Sequence, residues 1–267
     1  MRKAWCLMPL FLTAALALGL TTFARAEDDS PLEAIFAELS PSPAKDALTQ
    51  IPDLGRRLLA LRSYARSRAP LVKRWSWTEE EIKAFQGSAE QEALLAEVGE
   101  IAAHFAAANP GFEIYGRTKV RSLDVQIKNW NANQSVGAAG KEILQAWEEK
   151  FTGKEGASPE GASKTFWRWL KSFRPSQRAR LAAPGLSRHG QARAIDFQLK
   201  KDGRIFAGTS VRAVREVWRA EKWDEKLKAS IDAAGPSFTG PLKNPDEPWH
   251  YDYDPKMQVA AKKKAGN

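Results

Sequence analysis

The sequence predicts an α+β protein, in which a small antiparallel sheet is flanked by helices and preceded by a helical N-terminal extension. Three observations support this prediction. Apolar residues recur at helical spacing through residues 90–107. The pair Asp202-Gly203 separates two alternating segments, which is typical of a β-hairpin. Residues 248–253 form a further short segment with strand character, close to the end of the chain.

Each element has a local signal of its own. Thr78 begins a capping-box pattern that predicts a helix to about residue 86, and the helix over 90–107 ends before Asn109-Pro110-Gly111. The alternation at 112–115 predicts a strand. The remaining expectations are helices over 120–131, 165–181 and 210–233, a surface loop over 153–163, and hairpin strands over 192–199 and 204–208.

The first 26 residues are typical of a secretory signal peptide. Two basic residues precede an uncharged apolar run over 4–20, and Ala24-Arg25-Ala26 has the A-x-A form of a cleavage site. We therefore expect cleavage after Ala26 and a secreted or periplasmic protein. An uncleaved membrane anchor is the alternative, although the apolar run is short for a full span.

The amino-acid composition excludes several classes of protein and several kinds of site. The 267 residues include 41 Lys plus Arg, 32 Asp plus Glu and 43% apolar residues, which excludes a disordered chain and a polytopic membrane protein. Cys6 is the only cysteine and lies in the leader, so disulfides, Cys-ligated metals and a Cys nucleophile are excluded from the mature protein. An exported basic protein meets phospholipids and wall polymers rather than chromosomes, so we expect no nucleic-acid partner. Weak contact with an anionic membrane or wall polymer stays open.

The chain divides into a helical extension over 27–89, a main domain over 90–255 and a basic disordered tail over 256–267. Within the extension, residues 54–68 predict an amphipathic helix rich in arginine. This helix either lies on a membrane or wall surface, or packs on the main domain, and we favour packing. We expect a monomer.

Two histidines lie in sequence contexts that suit a metal site. His189 lies in a loop before the strand that carries Asp196, and small residues share the strand face of Asp196. An imidazole and a carboxylate are both suited to zinc. The alternative is that Asp196 pairs with Arg193 or Arg188.

A second segment, Glu247-Pro248-Trp249-His250-Tyr251, carries the other histidine. His250 can complete a two-His, one-Asp zinc site that leaves one position open for water. Glu247 is near enough in sequence to act on that water as a base, although a surface carboxylate before a proline is the alternative. Upstream, Arg121 begins a predicted helix and suits a carboxylate or a developing oxyanion.

Together these motifs resemble the zinc D-alanyl-D-alanine carboxypeptidases, a family that includes vancomycin-resistance D,D-dipeptidases and D,D-carboxypeptidases and related L-alanyl-D-glutamate endopeptidases. The resemblance covers about residues 90–255. It rests on Arg-Ser-x-x-x-Gln at 121–126, Ser-x-His-x-x-x-x-Ala-x-Asp at 187–196 and Glu-Pro-Trp-His-Tyr at 247–251. Ala192 stands where the family usually has Gly, a small-for-small change that we expect to be harmless. Thr118-Lys119-Val120 stands where the family often has Ser-Gly-Tyr, which leaves the substrate specificity open.

The resemblance implies the hedgehog/D-Ala-D-Ala peptidase fold and a role for each motif residue. The implied zinc ligands are His189, Asp196 and His250, the implied catalytic residues are the general base Glu247 and the carbonyl-polarising or carboxylate-binding Arg121, and the implied substrate-binding residues are Ser187, Gln126 and Trp249.

The activity implied by the resemblance is zinc-dependent hydrolysis of peptide bonds next to D-amino acids in peptidoglycan stem peptides. A D,D-carboxypeptidase is the first expectation. The alternatives are a peptidoglycan endopeptidase of the same fold and a non-catalytic cell-wall-binding module.

Overall fold

The computed structural model describes residues 36, 43–67, 71–151 and 159–257, with the side chains of 159–163 left undescribed. It combines helices with a small antiparallel sheet of five strands, which confirms the predicted α+β class. The predicted signal peptide lies outside the described residues. So do residues 258–267 of the predicted tail, whereas residues 255–257 form a helical turn.

Ten α-helices lie within the described part of the chain. They are α1 (Ala44–Thr49), α2 (Leu54–Ala65), α3 (Leu71–Arg74), α4 (Glu79–Phe85), α5 (Ala89–Ala108), α6 (Leu123–Ala132), α7 (Gln134–Phe151), α8 (Pro159–Ser172), α9 (Val211–Ala213) and α10 (Trp223–Ala234). A 3-10 turn spans Arg188–Gln191, and a π-helical segment, Val214–Arg219, continues α9.

Local signals placed some helix ends correctly and others wrongly. The capping box before α4 is confirmed, because Thr78 accepts from the Glu81 amide and the Glu81 carboxylate accepts from the Thr78 amide. The helix predicted to run to residue 181 ends at residue 172 and begins at 159, inside the predicted surface loop. The helix predicted over 210–233 is interrupted, because Lys222 adopts a left-handed backbone with φ of 56°.

The five strands are β1 (Phe112–Arg117), β2 (Ala194–Lys201), β3 (Arg204–Ala207), β4 (Phe238–Thr239) and β5 (His250–Tyr253). Their order is β1-β2-β5-β4, and β3 pairs with the distal part of β2. The predicted hairpin is confirmed: Asp202 and Gly203 both have positive φ, as a tight β2–β3 turn requires. Strand β2 is thus central and contacts three other strands.

The buried apolar residues in the described part of the chain form two hydrophobic clusters. In the first, helices α5 and α10 pack together and α5 covers β1. Its fully buried members include Leu94, Ile101, Phe105, Phe197 and Trp218. Strand β2 contributes to this cluster and also carries Asp196, so the apolar core fixes the strand that positions the candidate metal centre.

The second cluster joins the N-terminal helices to helices from the middle of the chain. Helix α2 packs closely on α7 and also contacts α8. At the α2–α7 crossing, a Cβ on Gly55 would lie 2.6 Å from the carbonyl carbon of Gly140, so only glycine permits this approach. The apolar face of α2 is therefore buried against the rest of the protein, as in the favoured interpretation of residues 54–68.

Within the described ranges, no helix combines the length and the apolar character that crossing a bilayer requires.

Candidate metal centre

Three predicted ligands converge on one face of the sheet. The Nδ1 atom of His250 lies 3.1 Å from Oδ1 of Asp196 and 3.2 Å from Nε2 of His189. The third side of the triangle, from His189 Nε2 to Asp196 Oδ1, measures 3.3 Å. The three side chains, on two distant stretches of the chain, therefore form a cluster that could hold a metal ion.

Backbone pairing explains why these residues meet. Asp196 and His250 are direct partners in the β2–β5 register, so their side chains lie on the same face of the sheet. His189 lies in the 3-10 turn just before β2. The carbonyl of His189 accepts a hydrogen bond of 3.0 Å from the Arg121 amide, which ties this turn to the start of α6.

The donor triangle fits a small divalent cation. Ligands of a tetrahedral zinc ion lie about 2.0–2.1 Å from the metal, which places neighbouring donor atoms about 3.3–3.4 Å apart. The observed separations of 3.1, 3.2 and 3.3 Å match this spacing closely. Two imidazole nitrogens and one carboxylate oxygen are also a donor set that zinc accepts, with a fourth position free for water.

The alternative ion pairs considered for Asp196 are not formed. Arg193 instead contacts Glu90, with Nη1 to Oε1 at 2.6 Å. Arg188 contacts Asp252, with Nε to Oδ1 at 2.8 Å. The carboxylate of Asp196 faces the two histidines, and its second oxygen lies 3.5 Å from Nη2 of Arg121.

The local electrostatics favour an ionised Asp196. Burial opposes its ionisation, but hydrogen bonds from His189 and His250 outweigh burial and hold the pKa of Asp196 well below its usual range. Burial lowers the pKa of His189 and so favours the neutral ring that binds metals. Burial has the same tendency at His250, but hydrogen bonds to Asp196 and Asp252 outweigh it and raise the pKa of His250 to about 9.

Glu247 lies beside the donor triangle. Its Oε2 atom is 3.7 Å from Nδ1 of His250, and the turn between them is closed by a 3.0 Å hydrogen bond from the His250 amide to the Glu247 carbonyl. Burial raises the pKa of Glu247, with a further contribution from the negative charge of Asp196. The carboxylate is therefore partly shielded from solvent, unlike the surface carboxylate of the alternative interpretation.

These groups line a cleft of about 610 Å³, which we call the metal cleft. Of the predicted site residues, it is lined by Arg121, Ser187, His189, Asp196, Glu247, Trp249 and His250. Trp249 is 5% exposed and packs against Trp218, with ring centroids 6.4 Å apart. Two arginines that the sequence did not single out, Arg74 and Arg180, also line the metal cleft.

Gln126 is the predicted site residue that does not line the metal cleft. Its amide nitrogen donates to Ser76 Oγ and to the Arg121 carbonyl, both at 2.8 Å, and its amide oxygen accepts from the Gly185 backbone at 3.0 Å. Gln126 is thus buried behind the site, where it links three segments that surround the cleft.

Gly190 allows Ser76 and Gln126 to pack closely against the backbone behind the site. A Cβ at this position would overlap the Ser76 hydroxyl and lie 2.7 Å from Nε2 of Gln126.

We expect Gly190→Ala to lower the free energy of unfolding by about 1–3 kcal/mol, the usual cost of overpacking. Urea denaturation of Gly99→Ala provides the matched control. That helix position in α5 has open space, and alanine there is expected to stabilise by about 0.5–1 kcal/mol. A Gly190→Ala protein as stable as the wild type would contradict this packing.

Ala192 adopts a backbone conformation that glycine favours. Its φ of 52° and ψ of 30° lie in the left-handed region, where a Cβ costs about 1–2 kcal/mol. The side chain is 2% exposed within the first hydrophobic cluster, so burial of its methyl group offsets part of this cost. The departure from glycine is therefore not free of strain.

Asp252 is a supporting residue that the sequence did not reveal. Its Oδ1 lies 3.5 Å from Nε2 of His250, on the side of the ring opposite Asp196, and also accepts from Arg188. A carboxylate in this position orients a metal-binding imidazole. The sequence does contain a signal for this role of Asp252, because the alternation along β5 places residues 250 and 252 on the same face of the strand.

We expect Asp252→Asn to weaken zinc binding by about 10- to 100-fold, since partners of metal-binding histidines typically have effects of this size. Competition with a chromophoric chelator measures the affinity. Asp254→Asn, on an exposed carboxylate that accepts from the Lys256 amide, is the matched control and should bind zinc like the wild type. Equal zinc affinity of the Asp252 variant and the wild type would exclude a supporting role.

Comparisons with known proteins give no relatives. No family model, no curated protein and no solved structure matches this chain.

Proposed function

We propose that the protein is an exported, monomeric, zinc-dependent peptidase that hydrolyses peptide bonds next to D-amino acids in peptidoglycan stem peptides. The observation that carries this proposal is the convergence of His189, Asp196 and His250, with the Glu247 carboxylate 3.7 Å from His250 in the same cleft. The three sequence motifs add the family resemblance. If the two histidines and the aspartate had only a structural role, they would not require a carboxylate base beside them.

Zinc is the metal we propose, because two imidazoles and one carboxylate are a common donor set in zinc hydrolases. When bound, zinc supplies a Lewis acid that lowers the pKa of water to about 7 and polarises a carbonyl oxygen. His189, Asp196 and His250 would hold it.

Glu247 is the residue we assign to proton transfer. Its carboxylate would accept a proton from the attacking water and later deliver that proton to the departing amine. Partial burial suits this task, because a carboxylate with a raised pKa holds a proton more readily than an exposed one. No further acid is required.

Arg121 and Trp249 would act on the substrate directly. The Arg121 guanidinium lies at the Asp196 side of the cleft and can donate to the oxygen that becomes negative as the carbonyl is attacked. Trp249 supplies an apolar wall that keeps bulk water from one side of the reacting bond. Ser187 lines the cleft and can donate a hydrogen bond to the peptide.

Carboxypeptidase action is favoured by the positive charge of the cleft. Arg74 and Arg180 line it, and within the described ranges neither side chain forms an ion pair with a carboxylate. A free C-terminal carboxylate accepts paired hydrogen bonds from such guanidinium groups. A terminal D-alanine satisfies this requirement, whereas the interior of a cross-linked peptide does not.

Incubation with a stem pentapeptide, with and without a chelator, tests the proposal. We expect release of the terminal alanine, loss of activity with the chelator and recovery with added zinc. Mass spectrometry of a digested muropeptide mixture distinguishes the endopeptidase alternative, which would instead open cross-links. Binding of the pentapeptide with no cleavage at any zinc concentration would contradict catalysis.

A further inference from the structure

A second cavity, of about 520 Å³, lies between helix α2 and the irregular segment that follows α8. Its volume is within the range of about 300–1,000 Å³ typical of small-molecule sites. Four arginines line it: Arg62, Arg66, Arg174 and Arg178. We call this cavity the arginine pocket. It contains none of the metal-cleft residues named above as ligands or catalytic groups.

Arg62 and Arg178 of the arginine pocket donate to neutral groups rather than to carboxylates. Within the part of the chain that the structure describes, none of the four guanidinium groups forms an ion pair with a carboxylate. Arg62 donates from Nε to the Phe173 carbonyl at 2.7 Å, and Arg178 donates to the Asn244 side chain at 3.3 Å. Both acceptors are neutral.

Crowding of these cations has an energetic consequence. Burial, followed by repulsion from Arg66 and Arg174, lowers the pKa of Arg62 to about 10. Like charges held together in a partly enclosed cavity destabilise the folded state unless an anion compensates them. The pocket therefore has the electrostatic character of an anion site.

The arginine pocket is also lined by residues that hydrogen bonds and apolar contacts hold in place. On α7, the Glu142 carboxylate accepts from the backbone and the hydroxyl of Ser176, at 2.7 and 2.8 Å, and so holds the irregular segment against the helices. Leu59, Trp130 and Pro175 add apolar surface to the same cavity. The segment that carries Arg174 and Arg178 is therefore held against the helices by these hydrogen bonds.

We propose that the arginine pocket binds a phosphate or pyrophosphate group of an anionic ligand. Guanidinium groups donate paired hydrogen bonds to phosphate oxygens, and their planar shape suits this contact better than that of lysine. A single carboxylate carries one charge and would leave most of the four cations uncompensated. A dianionic phosphate, or a pyrophosphate, matches the charge of the cavity more closely.

The arginine pocket adjoins the metal cleft. Ala179 and Leu181 line both cavities, so one short stretch of chain separates them. A ligand held by its phosphate in the arginine pocket can extend along this stretch toward the metal cleft. The proposal concerns anion binding alone and does not depend on peptidase activity.

Isothermal titration of the whole chelator-treated protein with pyrophosphate tests the proposal, because removal of metal excludes binding of pyrophosphate to a bound metal ion. Arg66→Gln/Arg174→Gln alters two exposed arginines of the pocket and should raise the dissociation constant at least tenfold. The control, Arg204→Gln/Arg215→Gln, removes the same charge from exposed arginines that line neither cavity and should change it less than twofold. Circular dichroism establishes that both variants are folded.

Two results would overturn the proposal: absence of saturable pyrophosphate binding to the wild type, or an equal loss of affinity in both double variants. Phosphatidylglycerol vesicles then identify the source of the phosphate. Vesicle binding that the pocket variant loses and the control retains supports a lipid headgroup, and pyrophosphate binding without vesicle binding supports a soluble ligand.

Discussion

Replacing Glu247 with glutamine should reduce hydrolysis of a stem pentapeptide by about 10²- to 10⁴-fold, the usual contribution of a general acid-base residue. The amide keeps the shape of the side chain but cannot accept and return a proton. Because His189, Asp196 and His250 are unchanged, zinc binding should persist. Turnover and zinc content, measured on the same preparation, separate these two effects.

Asp246→Asn is the matched control for this prediction. Asp246 is the preceding carboxylate, but it pairs with Arg219, at 2.6 Å, and does not line the metal cleft. The control should retain turnover within about threefold, since a surface ion pair contributes little. A Glu247→Gln protein with wild-type turnover would remove Glu247 from the mechanism.

Replacing His250 or His189 with alanine should abolish zinc binding and turnover together. Each change removes one corner of a donor triangle whose sides measure 3.1–3.3 Å. We expect zinc affinity to fall by more than about 100-fold, because loss of a supporting partner alone costs about 10- to 100-fold. Zinc content after dialysis against a defined free-zinc concentration measures the effect.

The third histidine supplies the control. His104 lies on α5 and contacts Ser230, with Nδ1 to Oγ at 3.1 Å, away from the metal cleft. His104→Ala should retain zinc and turnover. Full zinc content in the His250→Ala protein would show that His250 is not a ligand.

The sequence predicted the candidate metal centre well because its donors lie in strongly patterned segments. Asp196 and His250 lie on strands whose alternation fixes the faces of their side chains, and His189 lies in the turn just before one of them. The role of Gln126 was not predictable in the same way. Its partners Ser76 and Gly185 are distant in sequence, so only the fold reveals that the amide is already occupied.

Tertiary packing decided the parts of the fold that the sequence left open or misplaced. Helix α7 was not predicted, and its place is determined by close contact with α2 across Gly55 and Gly140. The segment after residue 172 was expected to continue a helix. Instead, it forms irregular chain held by Glu142, and it brings Arg174 into a cavity with Arg62, more than a hundred residues away.

X-ray absorption at the zinc edge of the zinc-loaded protein shows whether His189 and His250 hold the metal. We expect one zinc ion per chain, with two imidazole nitrogens and light oxygen donors at about 2.0–2.1 Å. His104→Ala should leave this spectrum unchanged, whereas His189→Ala should remove an imidazole contribution or the ion itself. A stably bound zinc with no imidazole in its coordination shell, or no zinc binding by the folded protein, would contradict the account.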